Sequence, residues 1–301
     1  MSSYFKISDE VQSAIANKKP LVALESSVFA QGLPFPTNRE VADAMSEAVR
    51  DFGCQPVVIH LWEGKLCFGA TSDDFDRMCG EQRKSYSKVG VGDIPAVLAS
   101  GRPGATTVSA TLKAADLLGI QVFATGGIGG VHRGWSQVPD LSADLMQLVN
   151  SRCSTVCSGV KNVLDVPATQ EILETLAVPV LKYATDCFPE FYCAGQPTPN
   201  WTRVDSPAQV AATITASREL IQRGILICQP CPVEAQLPQA EVEHWVQQGL
   251  VECPSGGKGV TPYLLGYLAQ ASAGRTLAAN CALLIQNARL AAQICAAAHQ
   301  L

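Results

Sequence analysis

The chain predicts an α/β fold of three layers, an α/β/α sandwich, in one domain over residues 1–301. Three observations carry this. Short apolar runs alternate with segments of helical periodicity from end to end. With 47% apolar and 16% charged side chains, the 301 residues can fill a large core and lie outside the disordered regime. One run, Val122-Phe123-Ala124, empties into Gly126, Gly127, Gly129 and Gly130. A strand end that opens into such a loop is where open α/β sheets bind ligands.

Taken in order, Ile7 to Asn17 has helical spacing. Leu21 to Leu24 predicts a buried strand closed by Glu25. A carboxylate there is costly unless paired or functional, so Glu25 is a candidate site residue; the alternative is a cap of the next helix. Gln31 to Pro36 predicts a loop. A helix then runs from Asn38 to Phe52, with Val41, Ala44, Met45 and Val49 on one face. Pro56–Leu61 and Lys65–Phe68 predict a hairpin turning at Glu63-Gly64, followed by a helix over Asp73–Cys79. Lys88 edges a glycine-loosened segment before a helix that stops ahead of Gly101. Alone, such a lysine is most often solvated. Thr106 opens a helix to Leu118, its hydroxyl neighbours serving as caps, and Ile120–Ala124 enters the glycine loop.

Glycines this dense let backbone N–H groups crowd round an anion, and Arg133 adds a planar fork that suits phosphate. Asp140 and Asp144 can hold a hard cation together with waters. The bland alternative is a tight strand-to-helix turn with Arg133 solvated; His132, Arg133 and the two aspartates favour a site. Asp144–Val149 predicts a helix and Cys153–Cys157 a strand. Lys161 follows that strand and Gly159 among apolar neighbours. There a lysine either loses solvation and acts as a neutral nucleophile, or reaches the surface at a helix start.

Further on, Thr169–Leu176 predicts a helix and Pro179–Tyr183 a strand. Phe188–Pro207 reads as a long loop near a site or an interface. Ala208–Arg223 is helical, Ile225–Cys228 a strand and Gln239–Gln248 a helix. Gly256–Gly259 predicts a flexible loop before a helix start at Thr261-Pro262. The last helix, Leu277–His299, carries Asn280 and Asn287, whose amides need partners from the structure or from a ligand.

A net charge of −5 with no basic stripe argues against nucleic acid. The N-terminal twenty residues lack a secretory pattern, and no apolar run approaches the roughly 18 residues that span a bilayer. A soluble cytoplasmic enzyme with no membrane partner is the expectation. The twelve cysteines are scattered, with one CxxC at Cys228–Cys231, and read as small buried hydrophobes without disulfide or cysteine-bound metal. Neither a GxGxxG nor a Walker sequence is present, which weakens an oxidoreductase reading. An anion-friendly loop, an acid at a strand end and a lysine in an apolar setting together suit Schiff-base chemistry on a phosphorylated sugar.

Seven segments carry a resemblance: ALESS from Ala23, QGLPFPTN from Gln31, GATTVSAT from Gly104, FATGGIGGVHRG from Phe123, DLSADL from Asp140, CSGVKNVLD from Cys157 and LAANCALLIQNARLAAQI from Leu277. Over nearly its whole length the chain resembles the pseudouridine-5'-phosphate glycosidases, the indigoidine-synthase-A-like proteins. The resemblance implies an α/β/α fold, a homotrimer and a divalent metal, usually Mn2+. It implies that Lys161 forms a Schiff base with C1 of ring-opened ribose 5-phosphate and that Glu25 is the acid-base group. Lys88 matches a substrate-binding lysine and Asp140 the metal aspartate. Val108, Ser142, Ala143 and Asp144 match substrate contacts, and Asn280 an asparagine facing the base. The expected reaction is reversible cleavage of pseudouridine 5'-phosphate to uracil and ribose 5-phosphate.

Three segments depart from the family pattern. Gly90-Val91-Gly92 replaces a pair of arginines, Gln229–Val233 replaces an NPIPE segment, and Gly257-Lys258-Gly259 replaces GKE. Loss of polar loop groups while the catalytic set is kept opens a second expectation: a natural-product C-glycosynthase joining ribose 5-phosphate to an aromatic aglycone other than uracil. A lapsed sugar-phosphate-binding homologue is disfavoured by retention of Glu25, Lys88, Asp140 and Lys161 together.

Overall fold

A computed structural model describes residues 2–253 and 260–299. Its first half runs β1 (Phe5–Ile7), α1 (Asp9–Ala16), β2 (Leu21–Glu25), α2 (Thr37–Arg50), β3 (Gln55–Trp62), β4 (Lys65–Phe68), α3 (Ser72–Cys79), β5 (Ser87–Val89), α4 (Ile94–Ser100), β6 (Gly104–Thr106), α5 (Val108–Leu118) and β7 (Val122–Ala124). The second half runs α6 (Ala143–Asn150), β8 (Ser154–Cys157), α7 (Val166–Thr175), β9 (Val180–Tyr183), β10 (Thr202–Val204), α8 (Pro207–Leu220), β11 (Leu226–Cys228), α9 (Gln239–Glu252), α10 (Val260–Ala271) and α11 (Arg275–His299).

The described strands form one sheet whose main path is β1-β4-β3-β2-β7-β8-β11-β9-β10, and along this path every pairing is parallel except that of β3 with β4. The central strands β7, β8 and β11 are buried at every residue, as expected of parallel strands covered on both faces. Layers of helices supply that cover. α11 packs on α2, α8 and the central strands, while α5 packs on α6 and β2. α11 is long and apolar enough, by length and composition alone, to cross a bilayer. Here it is a core helix, with Ala279, Leu283, Leu284, Ala288 and Ala291 fully buried. Its apolar residues are interrupted by Asn280, Asn287 and Arg289, so the sequence shows no unbroken run.

The sheet forks at β3. Residues Gln55–Ile59 pair with β2, whereas His60 and Leu61 pair antiparallel with β6, which in turn carries β5. Thr106 and Ser26 stitch the fork, each donating its hydroxyl to the Ile59 carbonyl, at 2.7 and 2.6 Å.

The elements follow the sequence pattern with four differences. Thr106 closes β6 instead of opening a helix, and α5 starts at Val108. The strands β1, β5, β6 and β10 were not anticipated; at three residues each they are too short to show alternation. Val28–Gly32, which overlaps the expected Gln31–Pro36 loop only at Gln31 and Gly32, forms a π-helical turn. The stretch Phe188–Pro207 contains β10 and the first residue of α8. The expected loop over Gly256–Gly259 lies outside the described residues.

Candidate active site

The carboxyl ends of β2, β5, β6, β7 and β8 converge on one cleft of about 410 Å³, closed further by the first turn of α6 and by α10 and α11. That volume is ordinary for a small-molecule site. Of the sequence candidates, Glu25, Lys88, Val108, Asp140, Ser142, Ala143, Asp144, Lys161 and Asn280 line it, and Arg133 does not. His132, which the sequence pointed to beside the glycine loop, also lines it, and so do Ser27, Thr125 and Phe191, which the sequence did not single out.

Glu25 ends β2 and is almost fully buried. Thr125 Oγ1 donates to its Oε1, and Ser27 Oγ donates to its Oε2 at 2.7 Å. Burial pushes this carboxyl above the usual carboxylate range, against the opposing pull of the Lys161 charge and the two hydroxyls. Asp144 adds to the rise. A raised carboxyl beside a lysine in a cleft makes Glu25 a candidate functional group.

Lys161 is placed by a turn that only glycine allows. Gly159 has φ +77°, and a Cβ there would stand 1.8 Å from the Pro189 carbonyl oxygen. The next residues are pinned by Lys161 N–H to the Ile128 carbonyl at 3.4 Å and Leu164 N–H to the Lys161 carbonyl at 3.0 Å. Phe191, itself at φ +55°, closes this side, its N–H donating to the Ser158 carbonyl at 2.8 Å.

The glycine loop serves close packing more than anion capture. A Cβ on Gly127 would meet the Phe191 ring at 2.6 Å, one on Gly129 the Ser142 Oγ at 2.3 Å, and one on Gly130 the Thr169 Oγ1 at 2.4 Å. Several loop N–H groups are spent inside the protein: Ile128 on Gly159, Gly129 on Asp144, Val131 on Thr169 and His132 on the Asp140 carbonyl. Arg133 corrects the expectation of a phosphate fork. Its guanidinium grips Glu243 of α9 with Nη1 and Nη2, at 2.6 and 2.7 Å, and Nη2 also donates to the Asn162 carbonyl at 3.0 Å. It lies outside the cleft lining and joins the loop to α9.

Asp144 is likewise committed. Its Oδ1 accepts from Ser109 N–H and its Oδ2 from Gly129 N–H, both at 2.9 Å. It therefore ties the first turn of α5 to the glycine loop while lining the cleft. Asp140 is more open: its Oδ2 lies 3.8 Å from His132 Nδ1. Among the described residues no group of three or more His, Cys, Asp or Glu side chains is arranged to hold a metal.

The two asparagines of α11 divide cleanly. Asn287 is fully buried and spent: Nδ2 donates to the Thr125 carbonyl at 2.8 Å, and Oδ1 accepts from Gln229 Nε2 at 2.9 Å. Asn280 reaches the cleft. Lys88 stands on β5, next to Gly90–Gly92, across the cleft mouth.

The family described as indigoidine synthase A like protein matches residues 10–297. A pseudouridine-5'-phosphate glycosidase of Paracoccus denitrificans is 43% identical over 301 residues, covering 99% of each chain. One of Escherichia coli is 38% identical, covering 96% of this chain and 94% of its own. The crystal structure of the prealnumycin C-glycosynthase AlnA in complex with ribulose 5-phosphate superposes with a TM-score of 0.91 at 35% identity, covering 100% of this chain and 98% of its own. An indigoidine synthase A-like protein of Thermotoga maritima superposes with a TM-score of 0.89 at 35% identity, covering 98% and 97%.

Proposed function

The chain belongs to the indigoidine synthase A-like family of enzymes, and from that membership we propose that it cleaves and forms the C-glycosidic bond at C1 of ribose 5-phosphate, through an imine on Lys161. The observation that carries this is the meeting of Glu25 and Lys161 in one cleft, at the ends of β2 and β8. A carbon–carbon glycosidic bond has no leaving oxygen to protonate, so paired carboxylates alone do not serve. In the cleavage direction the Lys161 amine attacks C1, and the ring oxygen leaves with a proton supplied by Glu25. The nitrogen lone pair then expels the base carbon, which takes up a proton, and an iminium remains at C1. Water hydrolyses it to ribose 5-phosphate and the free amine. Reversal of the same steps joins the sugar to a base.

Lys88, Val108, Ser142, Ala143 and Asn280 hold the two halves of the substrate in this reading, while Asp144 acts by fixing the loops around it. A divalent ion, Mn2+ by the family resemblance, fits Asp140, whose hard carboxylate oxygens suit an ion that keeps most of its waters. When bound it supplies positive charge to orient the phosphorylated sugar.

Pseudouridine 5'-phosphate is the substrate that the curated relatives' names support. The likeness to AlnA favours a second reading, synthesis on a larger aromatic aglycone. The apolar arc of Val28, Val91, Leu164, Phe191 and Leu265 along the cleft agrees with it. Uracil release from pseudouridine 5'-phosphate separates the two. Turnover that chelation removes and Mn2+ restores is the expected result. No uracil release in the presence of Mn2+ would overturn the pseudouridine assignment in favour of the synthase.

A further inference from the structure

Both oxygens of the Glu25 carboxylate are held by hydroxyls that no step above uses. Thr125 Oγ1 donates to Oε1 and Ser27 Oγ to Oε2, and the two donors come from different segments. Thr125 follows β7 directly and is fully buried; Ser27 heads the π-helical turn after β2. Resting on the assignment of Glu25 as the group that moves the ring-opening proton, we propose that Thr125 and Ser27 are positioning residues that fix the Glu25 carboxylate in the cleft and stabilise its anion.

The hydroxyls are well placed for this because they cannot follow a wandering carboxylate. Thr125 N–H donates to the Val156 carbonyl at 3.0 Å, and its own carbonyl accepts from Asn287 Nδ2 at 2.8 Å. Its backbone is thus pinned between β8 and α11. With one donor on each oxygen, rotation of the carboxylate breaks both bonds, so its plane is set before substrate arrives. Such preorganisation matters because small misplacements of a catalytic group cost large factors in rate.

The charge balance points the same way. Burial acts most strongly on Glu25 and disfavours its anion; Asp144, at the first turn of α6, works in the same direction. Lys161, beyond β8, and the two hydroxyls oppose them. Lys161 changes its charge when its nitrogen attacks C1, so its support is not constant through the reaction. The hydroxyls are neutral and remain. They are the part of the balance that survives each step.

The test is the pH dependence of imine formation, measured by cyanoborohydride trapping with ribose 5-phosphate, a readout that does not depend on the aglycone. Wild type, Thr125→Val, Ser27→Ala and Thr125→Ser are compared, with Glu25→Gln as reference. Loss of a donor to the anion moves the limb set by Glu25 to higher pH, by about one unit, whichever protonation state the step requires. Thr125→Ser restores the wild-type position. A merely structural pair would lower the melting temperature and leave the limb where it is, which would overturn the proposal. If Glu25→Gln traps as fast as wild type, the assignment of Glu25 fails first, and the positioning role with it. Should Thr125→Val not fold, Ser27→Ala carries the same comparison.

Discussion

Borohydride reduction in the presence of ribose 5-phosphate is expected to leave a pentose phosphate adduct on Lys161, and Lys161→Ala is expected to lose both the adduct and all measurable turnover. Imine formation needs an amine that can reach C1 without a shell of water, held still enough to attack. Lys161 meets both needs through its backbone. The turn at Gly159 is enforced by the Pro189 carbonyl, and Lys161 is partly shielded beside buried Val160 and Leu164. Peptide mass after reduction locates the adduct. An adduct on another lysine alone, or none while a control aldolase traps normally, would sink the imine mechanism. Because Lys161 is only partly buried, alanine is expected to leave the variant folded, and a melting curve checks it.

Glu25→Gln is expected to lower kcat by roughly 10²–10⁴-fold, the range for loss of a positioned acid-base group. It is also expected to raise the melting temperature near neutral pH. The sign follows from burial. A carboxyl held above its unfolded value contributes stability that is fully present below the unfolded pKa and lost as pH rises through the folded one. At neutral pH, above the unfolded value, the raised Glu25 carboxyl is therefore a cost to the fold, and glutamine, which does not titrate, removes it while leaving an oxygen for Thr125 to donate to. Lower activity with higher stability is the mark of a group kept for chemistry. A variant that melts below wild type, or keeps wild-type kcat, contradicts this account.

The main frame was legible because parallel strands buried on both faces write themselves as apolar runs, and Glu25 and Lys161 stand out where those runs end. The resemblance placed the remaining candidates in one cleft. What pattern could not give was how polar groups are spent. Arg133 in a glycine loop looks like a phosphate ligand until Glu243, more than a hundred residues away, is seen to occupy it. Asp144 carries a backbone N–H on each of its oxygens, from Ser109 and from Gly129, which spacing does not show. The loop glycines look like an anion nest, yet Phe191, Ser142 and Thr169 fill the room that their missing side chains leave. Thr125 and Ser27 gave a faint signal, as hydroxyls one and two residues after strand ends, but hydroxyls there are ordinary caps. Each of these depends on long-range contacts, which spacing along the chain does not encode.

The fork in the sheet bears on how such an enzyme diversifies. Glu25 ends β2 and Lys161 follows β8, interior strands with neighbours on both sides, where a substitution disturbs the whole core. Lys88 and the Gly90–Gly92 segment belong to the outer arm, since β5 pairs only with β6 among the described strands, and β6 meets β3 through two residue pairs. Inheritance can hold one half of the cleft constant and let the other drift. Lineages built on this frame can then exchange the molecule joined to the sugar while conserving the means of joining it, and glycosidases and a C-glycosynthase are both found among the relatives.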